Sequence, residues 1–183
     1  MRRDLVSRAQ QGDEVAFAEL ATAIADRLFA AAYRILRDVD AANDATQEAL
    51  VTVWRELPAL REPARFEAWS YRIVVNAAYA EHKKMRRTAP VAALAMSADP
   101  DHDPIGALVD RDQLERGFAR LPIEQRVALV LQHYCDLTLS QIAEVMGIPV
   151  GTVRSRLHYA RDAMRAALEA DLRPAAAGRG ELA

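Results

Sequence analysis

The sequence predicts an all-α protein: two small helical domains joined by a flexible linker. Alanine, leucine, glutamate and arginine dominate the 183 residues, glycine numbers only 7, and long β-branched runs are absent, a mixture that favours helices. Apolar residues recur at three- and four-residue spacing through two long blocks. Between the blocks, residues 88–107 hold Pro90, Pro100 and Pro104 among small residues and acids, the composition of an extended tether.

Each element follows in order. Gly12 stops an opening turn and Asp13 is placed to cap the helix after it. From residue 14 to about 37, Phe17, Leu20, Ile24, Leu28, Ala31 or Ala32, and Ile35 repeat at helical spacing. Asp38 and Asp40 break that run, and Asp40 is expected to cap a helix reaching about Leu57, ahead of Pro58, with Ala45, Ala49, Val53 and Trp54 turned inward. After a connection holding Pro58 and Pro63, a helix is expected over 65–87. With Trp69 as origin and about 100° per residue, Phe66, Ile73, Asn76, Ala77 and Ala80 fall in one stripe. These helices make a first domain, residues 3–87, followed by the linker at 88–107. The second domain, 108–172, opens with a helix to about Leu121. Pro122 suits the first turn of the next helix, to about Tyr134, and helices over 139–146 and 150–172 follow. A frayed tail is expected at 173–183.

The bulk numbers narrow the function. Half the residues (51%) are hydrophobic, enough for a packed core, and the single Cys135 excludes an internal disulfide. No apolar stretch approaches the roughly 20 residues that a membrane span needs, and the opening residues lack the apolar core of a secretory signal. A cytoplasmic protein without direct membrane insertion is expected. The net charge of −2 looks wrong for a nucleic-acid binder until it is mapped along the chain. Residues 1–60 carry 7 basic side chains against 10 acidic ones, residues 61–87 carry 7 against 3, residues 88–115 carry 1 against 6, and residues 150–166 carry 4 against 1. Two short basic patches in an acidic chain can touch DNA locally yet hold it weakly alone, which points to a contact made as part of a larger machine.

The most informative stretch is residues 138–157. A short helix with Ile142 and Ala143 facing in, a glycine at the turn (Gly147) and a second helix make a helix-turn-helix. Val153, Leu157, Ala160, Met164 and Leu168 line the back of the second helix. Gly151, Ser155, His158, Tyr159 and Asp162 line its front, with Arg154, Arg161 and Arg165 on one flank and Arg156 on the other. An apolar back, a hydrogen-bonding front and arginine flanks suit a helix that enters a major groove. The competing reading is a solvated surface helix, which does not explain why the turn glycine, the small Ala143 and the arginines coincide.

From Leu121 to Arg165, with Gly151-Thr152-Val153-Arg154-Ser155-Arg156-Leu157 at its centre, the chain resembles region 4 of the extracytoplasmic-function branch of the sigma-70 family. The first block resembles region 2 of the same branch. Gly12, Asp13 and Phe17 carry that resemblance, with residues 40–48 ahead of Trp54, then Phe66, Trp69 and Asn76. The resemblance implies a promoter-recognition subunit of RNA polymerase core, and every role that follows is implied by it.

The helix over 40–57 would dock on the polymerase β′ clamp. Asp40, Asp44 and Glu48 stand at four-residue steps with Gln47 beside them, an acidic stripe that suits a basic partner, although a plain solvated face has the same pattern. Residues 58–87 would open the −10 element. Arg61, Arg65, Arg72, Lys83, Lys84, Arg86 and Arg87 form a basic groove, and Asn76 either satisfies backbone inside the bundle or faces DNA. Region 4 would read the −35 element and meet the β flap. Ser155, His158 and Tyr159 are candidates for base edges, and Arg154, Arg156 and Arg161 for phosphate or guanine. Asn43 stands where the family usually has Glu, Ala80 and Lys83 where it often has Asp and Arg, and Tyr159 where Arg is common. An anti-sigma factor is the remaining implied partner, and the linker would follow the RNA-exit path or act as a simple tether.

Other chemistries find no support. His133 and Cys135 are two ligands at most, and no glycine-rich phosphate loop or Ser–His–Asp pattern occurs. No catalytic, cofactor-binding or metal residues, no small-molecule substrate and no enzymatic activity are expected. A stand-alone helix-turn-helix regulator would need a more basic domain and a dimerisation surface. A purely protein-binding helical adaptor would leave the arginines at 154–165 unexplained.

Overall fold

A computed structural model describes residues 2–88 and 108–172. The expected linker, apart from Thr88, and the expected tail lie outside the described residues. Among the described residues, eight α-helices build two four-helix groups: α1 (Arg2–Gln10), α2 (Glu14–Leu36), α3 (Val39–Glu56) and α4 (Phe66–Thr88), then α5 (Leu108–Ala119), α6 (Ile123–His133), α7 (Leu139–Met146) and α8 (Val150–Leu172).

Local chemistry fixes the boundaries. Gly12 adopts φ 89 at the end of α1, and the Asp13 carboxylate accepts the Ala16 N–H at 2.9 Å as the cap of α2. That backbone N–H and the Arg8 guanidinium, 2.6 Å away, hold the Asp13 carboxyl below the usual carboxylate range. At the other end of α2 the left-handed cap residue is Arg37, φ 63, its N–H bonded to the Tyr33 carbonyl at 2.7 Å. α3 is capped by Asp38, whose side chain accepts the Ala41 N–H at 2.8 Å, and not by Asp40. Both aspartates are chemically competent, but the helix begins two residues earlier than expected and leaves Asp40 exposed in its first turn. Two 3₁₀ turns, Leu57–Ala59 and Pro63–Arg65, lead into α4, and the Gln10 amide ties α1 to them through the Leu57 and Leu60 carbonyls. Pro122 stands just ahead of α6, with ψ 144, so it precedes the first turn and is not part of it.

The α2 stripe packs as its spacing predicts: Leu20, Ile24, Leu28, Ala31, Ala32 and Ile35 are buried, while Phe17 is partly buried. On α3, Ala45, Ala49 and Val53 are buried, but Trp54 is 43% exposed, its ring set edge-on to Phe17 at 4.4 Å. On α4 the expected stripe is rotated: Phe66, Ile73 and Ala77 are buried and Trp69 is half-buried, but Asn76 and Ala80 face solvent. Ser70, Tyr71, Val74, Val75 and Ala78 are buried as well, because α4 packs on α2 and α3 and also on α7, which widens and shifts its buried sector.

The two groups are not held apart. α6 lies on α2, α7 lies on α4, and one apolar core runs through both. Within the second group α5 meets α8 at Gly117, where a Cβ would come within 3.2 Å of the Ala167 Cβ and 3.3 Å of the Met164 sulfur. Gly117→Val should therefore pry α5 from α8 and cost about 1–3 kcal/mol, read as a lower urea midpoint at unchanged slope.

Candidate nucleic-acid and protein interfaces

α7 begins with a reciprocal cap: the Gln141 N–H donates to the Thr138 hydroxyl at 3.3 Å and the Gln141 amide oxygen accepts the Thr138 N–H at 2.9 Å. It ends at Gly147, φ 65, where a side chain would be strained, and Pro149 leads into α8. Ile142 and Ala143 are buried under α8, whose own back carries Val153, Leu157 and Ala160 at 2% exposure or less; Met164 and Leu168 are half-buried. The helix-turn-helix is therefore formed as its sequence predicts.

Its front is open. Arg154, Ser155, His158, Tyr159 and Arg161 are exposed together, and Tyr159 is 62% exposed despite its ring. Ser155 donates its hydroxyl to the Gly151 carbonyl at 3.1 Å, and His158 sits 3.3 Å from the Asp162 carboxylate with its ring 5.7 Å from that of Tyr159. Arg161 donates to the Gln132 amide oxygen at 2.8 Å. Arg156 differs from the rest: it is half-buried, and its charge is felt at Tyr79 of α4. There burial pushes the Tyr79 hydroxyl up to about 12, while the Arg156 charge pulls the other way.

The second basic set is also exposed throughout: Arg61 and Arg65 in the connection, and Arg72, Asn76, Lys83, Lys84, Arg86 and Arg87 on α4. Taking Arg72 as origin at about 100° per residue, Asn76, Lys83, Arg86 and Arg87 fall within roughly 60° of one another's mean direction, so the amide stands in a cationic stripe and not in the core. Two members are already engaged. Arg65 pairs with Glu62 at 3.1 Å and with Glu144 of α7 at 3.7 Å, and Lys84 pairs with Glu81 at 3.2 Å and with Asp44 at 3.6 Å.

The acidic set Asp40, Asp44, Gln47 and Glu48 lies exposed on α3. Beside it an open groove of about 320 Å³ runs between α2 and α3, lined by Ala25, Asp26, Phe29, Asn43, Thr46 and Gln47. Asp26 and Phe29 on α2 were not legible as site residues, since their neighbourhood to Gln47 is created only by the pairing of the two helices.

A third cluster was missed altogether. Arg126 of α6 is only 7% exposed and donates to the Ile35 carbonyl at 2.7 Å and the Leu121 carbonyl at 3.2 Å. The sequence held one signal of it, a cation within the apolar run of α6. Nearby, burial, with the charges of Arg126 and Arg86 added, holds His82 below its usual range, and Glu124 opposes them only in part. The sign follows: the unfolded chain takes up this proton first, so stability is full above about pH 6.5 and falls as pH drops below it. Urea midpoints at pH 7.5 and 5.5 should differ in that direction, and His82→Gln should shrink the difference. Among the described residues no group of three or more His, Cys, Asp or Glu is placed to hold a metal, and no helix is long and apolar enough to cross a membrane.

Comparison with known proteins bears on both interfaces. The family model for sigma-70 region 2 matches residues 20–88, and that for sigma-70 region 4 matches residues 111–164. The chain is 34% identical to the RNA polymerase sigma-H factor of Pseudomonas aeruginosa, over 94% of this chain and 96% of that one. It is 31% identical to the ECF RNA polymerase sigma-E factor of Escherichia coli, over 87% and 90%. Among solved structures, its fold is similar to that of the sigma factor RpoE of Bartonella quintana in complex with the anti-sigma factor NepR, with TM-score 0.69 and 21% identity over 84% of this chain and 96% of that one. It is also similar to that of CnrH in complex with the cytosolic domain of CnrY, with TM-score 0.68 and 24% identity over 93% and 98%.

Proposed function

Because the chain belongs to the extracytoplasmic-function branch of the sigma-70 family, we propose that its two helical groups divide promoter recognition between them. It is a sigma factor, and it directs RNA polymerase to promoters to begin transcription. The finer assignment is our reading. Residues 3–87 act as region 2, 88–107 as the linker and 108–172 as region 4, with 173–183 a tail. The single observation that carries it is the α8 front: five hydrogen-bonding or cationic side chains exposed together on a helix whose back is buried.

On this reading α8 enters the major groove of the −35 element. Ser155, His158 and Tyr159 meet base edges, and Arg154, Arg156 and Arg161 meet phosphate or guanine, each good bidentate arginine–guanine pair contributing about 1–3 kcal/mol of discrimination. Tyr159 replaces one such arginine with an aromatic donor, which suits apolar and single hydrogen-bond contacts. The α4 stripe of Arg72, Asn76, Lys83, Arg86 and Arg87, with Arg61, Arg65 and Lys84, tracks the melted −10 strand, and its cations supply the salt-dependent grip that single strands require. The exposed Asn76 amide offers both donor and acceptor to an unpaired base. Asp40, Asp44, Gln47 and Glu48 dock on the polymerase β′ clamp, and region 4 meets the β flap. An anti-sigma factor that covers these faces is the partner expected to silence the chain, as NepR and CnrY accompany the two structural relatives.

A gel-shift with promoter DNA, with and without core polymerase, tests the reading. Specific retardation should require core. Specific binding by the free chain would favour a stand-alone regulator, and no binding in either case would favour an adaptor.

A further inference from the structure

Promoter reading gives Gln132 no role. It stands outside the helix-turn-helix, one residue before the end of α6, half-buried and next in sequence to the fully buried Leu131. Yet its amide oxygen accepts from the Arg161 guanidinium of α8 at 2.8 Å, across 29 positions of sequence. A guanidinium carries donors only, so the oxygen of the amide, and not its NH2, must be the group that faces it. The last turn of α6 is also the negative end of that helix, so the cation has a second reason to rest there.

The direction in which Arg161 is held decides what it can reach. Taking Arg154 as origin at about 100° per residue, Arg161 and Arg165 return to within about 20° of it, so the three arginines form one row along α8. At about 1.5 Å per residue the row is roughly 16 Å long. Ser155 and Tyr159 stand about 100° and 140° round from the row's direction. When those two face base edges on the floor of a major groove, the row faces the wall, where one strand carries its phosphates. Leu157, about 40° beyond Arg161 on the other side, is buried, so Arg161 marks the edge at which α8 rests on α6.

The chemistry of the holder matters as much as its place. Arg165 pairs with Asp162 at 3.7 Å, and the same carboxylate stands 3.3 Å from His158, so an acid offsets part of the charge on that side of the row. Gln132 is neutral, so it fixes Arg161 and leaves its charge whole for an anion. One bond to the amide also leaves most of the five guanidinium donors for a ligand. An exposed arginine otherwise samples many rotamers, and ordering it on binding weakens affinity; a bond made in advance removes part of that cost.

We propose that Gln132 is a positioning residue of the −35 contact: it holds Arg161 on the wall side of α8, so that the guanidinium grips a backbone phosphate and not a guanine. The proposal rests on the reading that α8 enters the −35 major groove. A residue outside the helix-turn-helix thereby sets how firmly the second helical group holds DNA, but not which sequence it prefers.

A double-mutant cycle on the holoenzyme tests it. The full-length chain with core polymerase first selects promoter duplexes from a randomised library. One selected promoter, and copies changed at single base pairs of its −35 element, then serve as affinity probes. Gln132→Met keeps the length of the side chain and removes the acceptor. It should weaken binding to every probe by one common factor, about three- to tenfold, with the slope of log affinity against log salt unchanged. Arg161→Met should weaken every probe further and lower that slope by roughly 0.9, the share of one cation. In the Arg161→Met background, Gln132→Met should cost at most about twofold, because its effect runs through the arginine. A loss of full size in that background would place the action of Gln132 in the fold or in a DNA contact of its own, and would overturn the proposal. So would a loss that vanishes on probes changed at one particular base pair, which would make Arg161 a base reader. Should the unmutated holoenzyme select no promoter at all, the promoter-directing reading falls, and this proposal with it.

Discussion

Charge reversal of Asp44 and Glu48 to lysine is expected to eliminate promoter-directed synthesis while leaving the helices intact. Both side chains are exposed on α3, beside the open groove against α2, on the face assigned to the polymerase clamp. Turning two attractive contacts into two repulsive ones against a basic partner costs several kcal/mol, enough to reduce association by roughly a hundredfold or more. The folding cost is small by contrast. The pair that Asp44 makes with Lys84 is exposed at 3.6 Å, and such pairs contribute about 0–1 kcal/mol. Co-purification with core polymerase and circular dichroism of the same double variant separate the two effects. A variant that still bound core and transcribed would show that this face is not the docking surface.

The second large effect is expected at Leu28. Its side chain is 1% exposed in the middle of α2, the helix that packs on α1, α3, α4 and α6. Leu28→Ala removes buried methyl groups and leaves a cavity, at a cost of about 2–5 kcal/mol. For a chain of this size that is a fall in Tm of roughly 4–20 °C. Because α2 also carries the carbonyl that receives Arg126, destabilising it should loosen the second helical group as well, and the urea transition should move as one step. A loss under about 1 kcal/mol would mean that the site collapses without a cavity, contrary to the close packing seen around α2.

Much of this arrangement could be read directly from local sequence. The α2 stripe, the bounds of α7 and α8, the αL glycine at 147 and the division of α8 into a buried back and an open front all follow from spacing and capping within a few residues of each feature. The misreadings have a common physical source. Asp38 and Asp40 are both sound caps, and the helix takes the earlier one, whose carboxylate accepts the Ala41 N–H. Spacing alone predicts the α4 stripe only for a helix that faces one neighbour. α4 faces three, so Val74 and Ala78 went in while Asn76 and Ala80 came out. Trp54 satisfies its ring against Phe17 near the surface instead of entering the core. The contact between the helical groups has no periodic signature, since it joins residues up to 91 positions apart, and long side chains such as that of Arg126 add to the apolar core the groups share.

The left-handed residue that closes α2 is an arginine, in a backbone conformation that glycine would adopt without strain and that costs most other residues about 1–2 kcal/mol. That local penalty is tolerated because the side chain crosses to Glu115, which a hydrogen atom cannot do. Comfort at one joint has been exchanged for reach between distant parts, so the one non-glycine residue of left-handed backbone among the described residues of the first helical group doubles as one of its grips on the second.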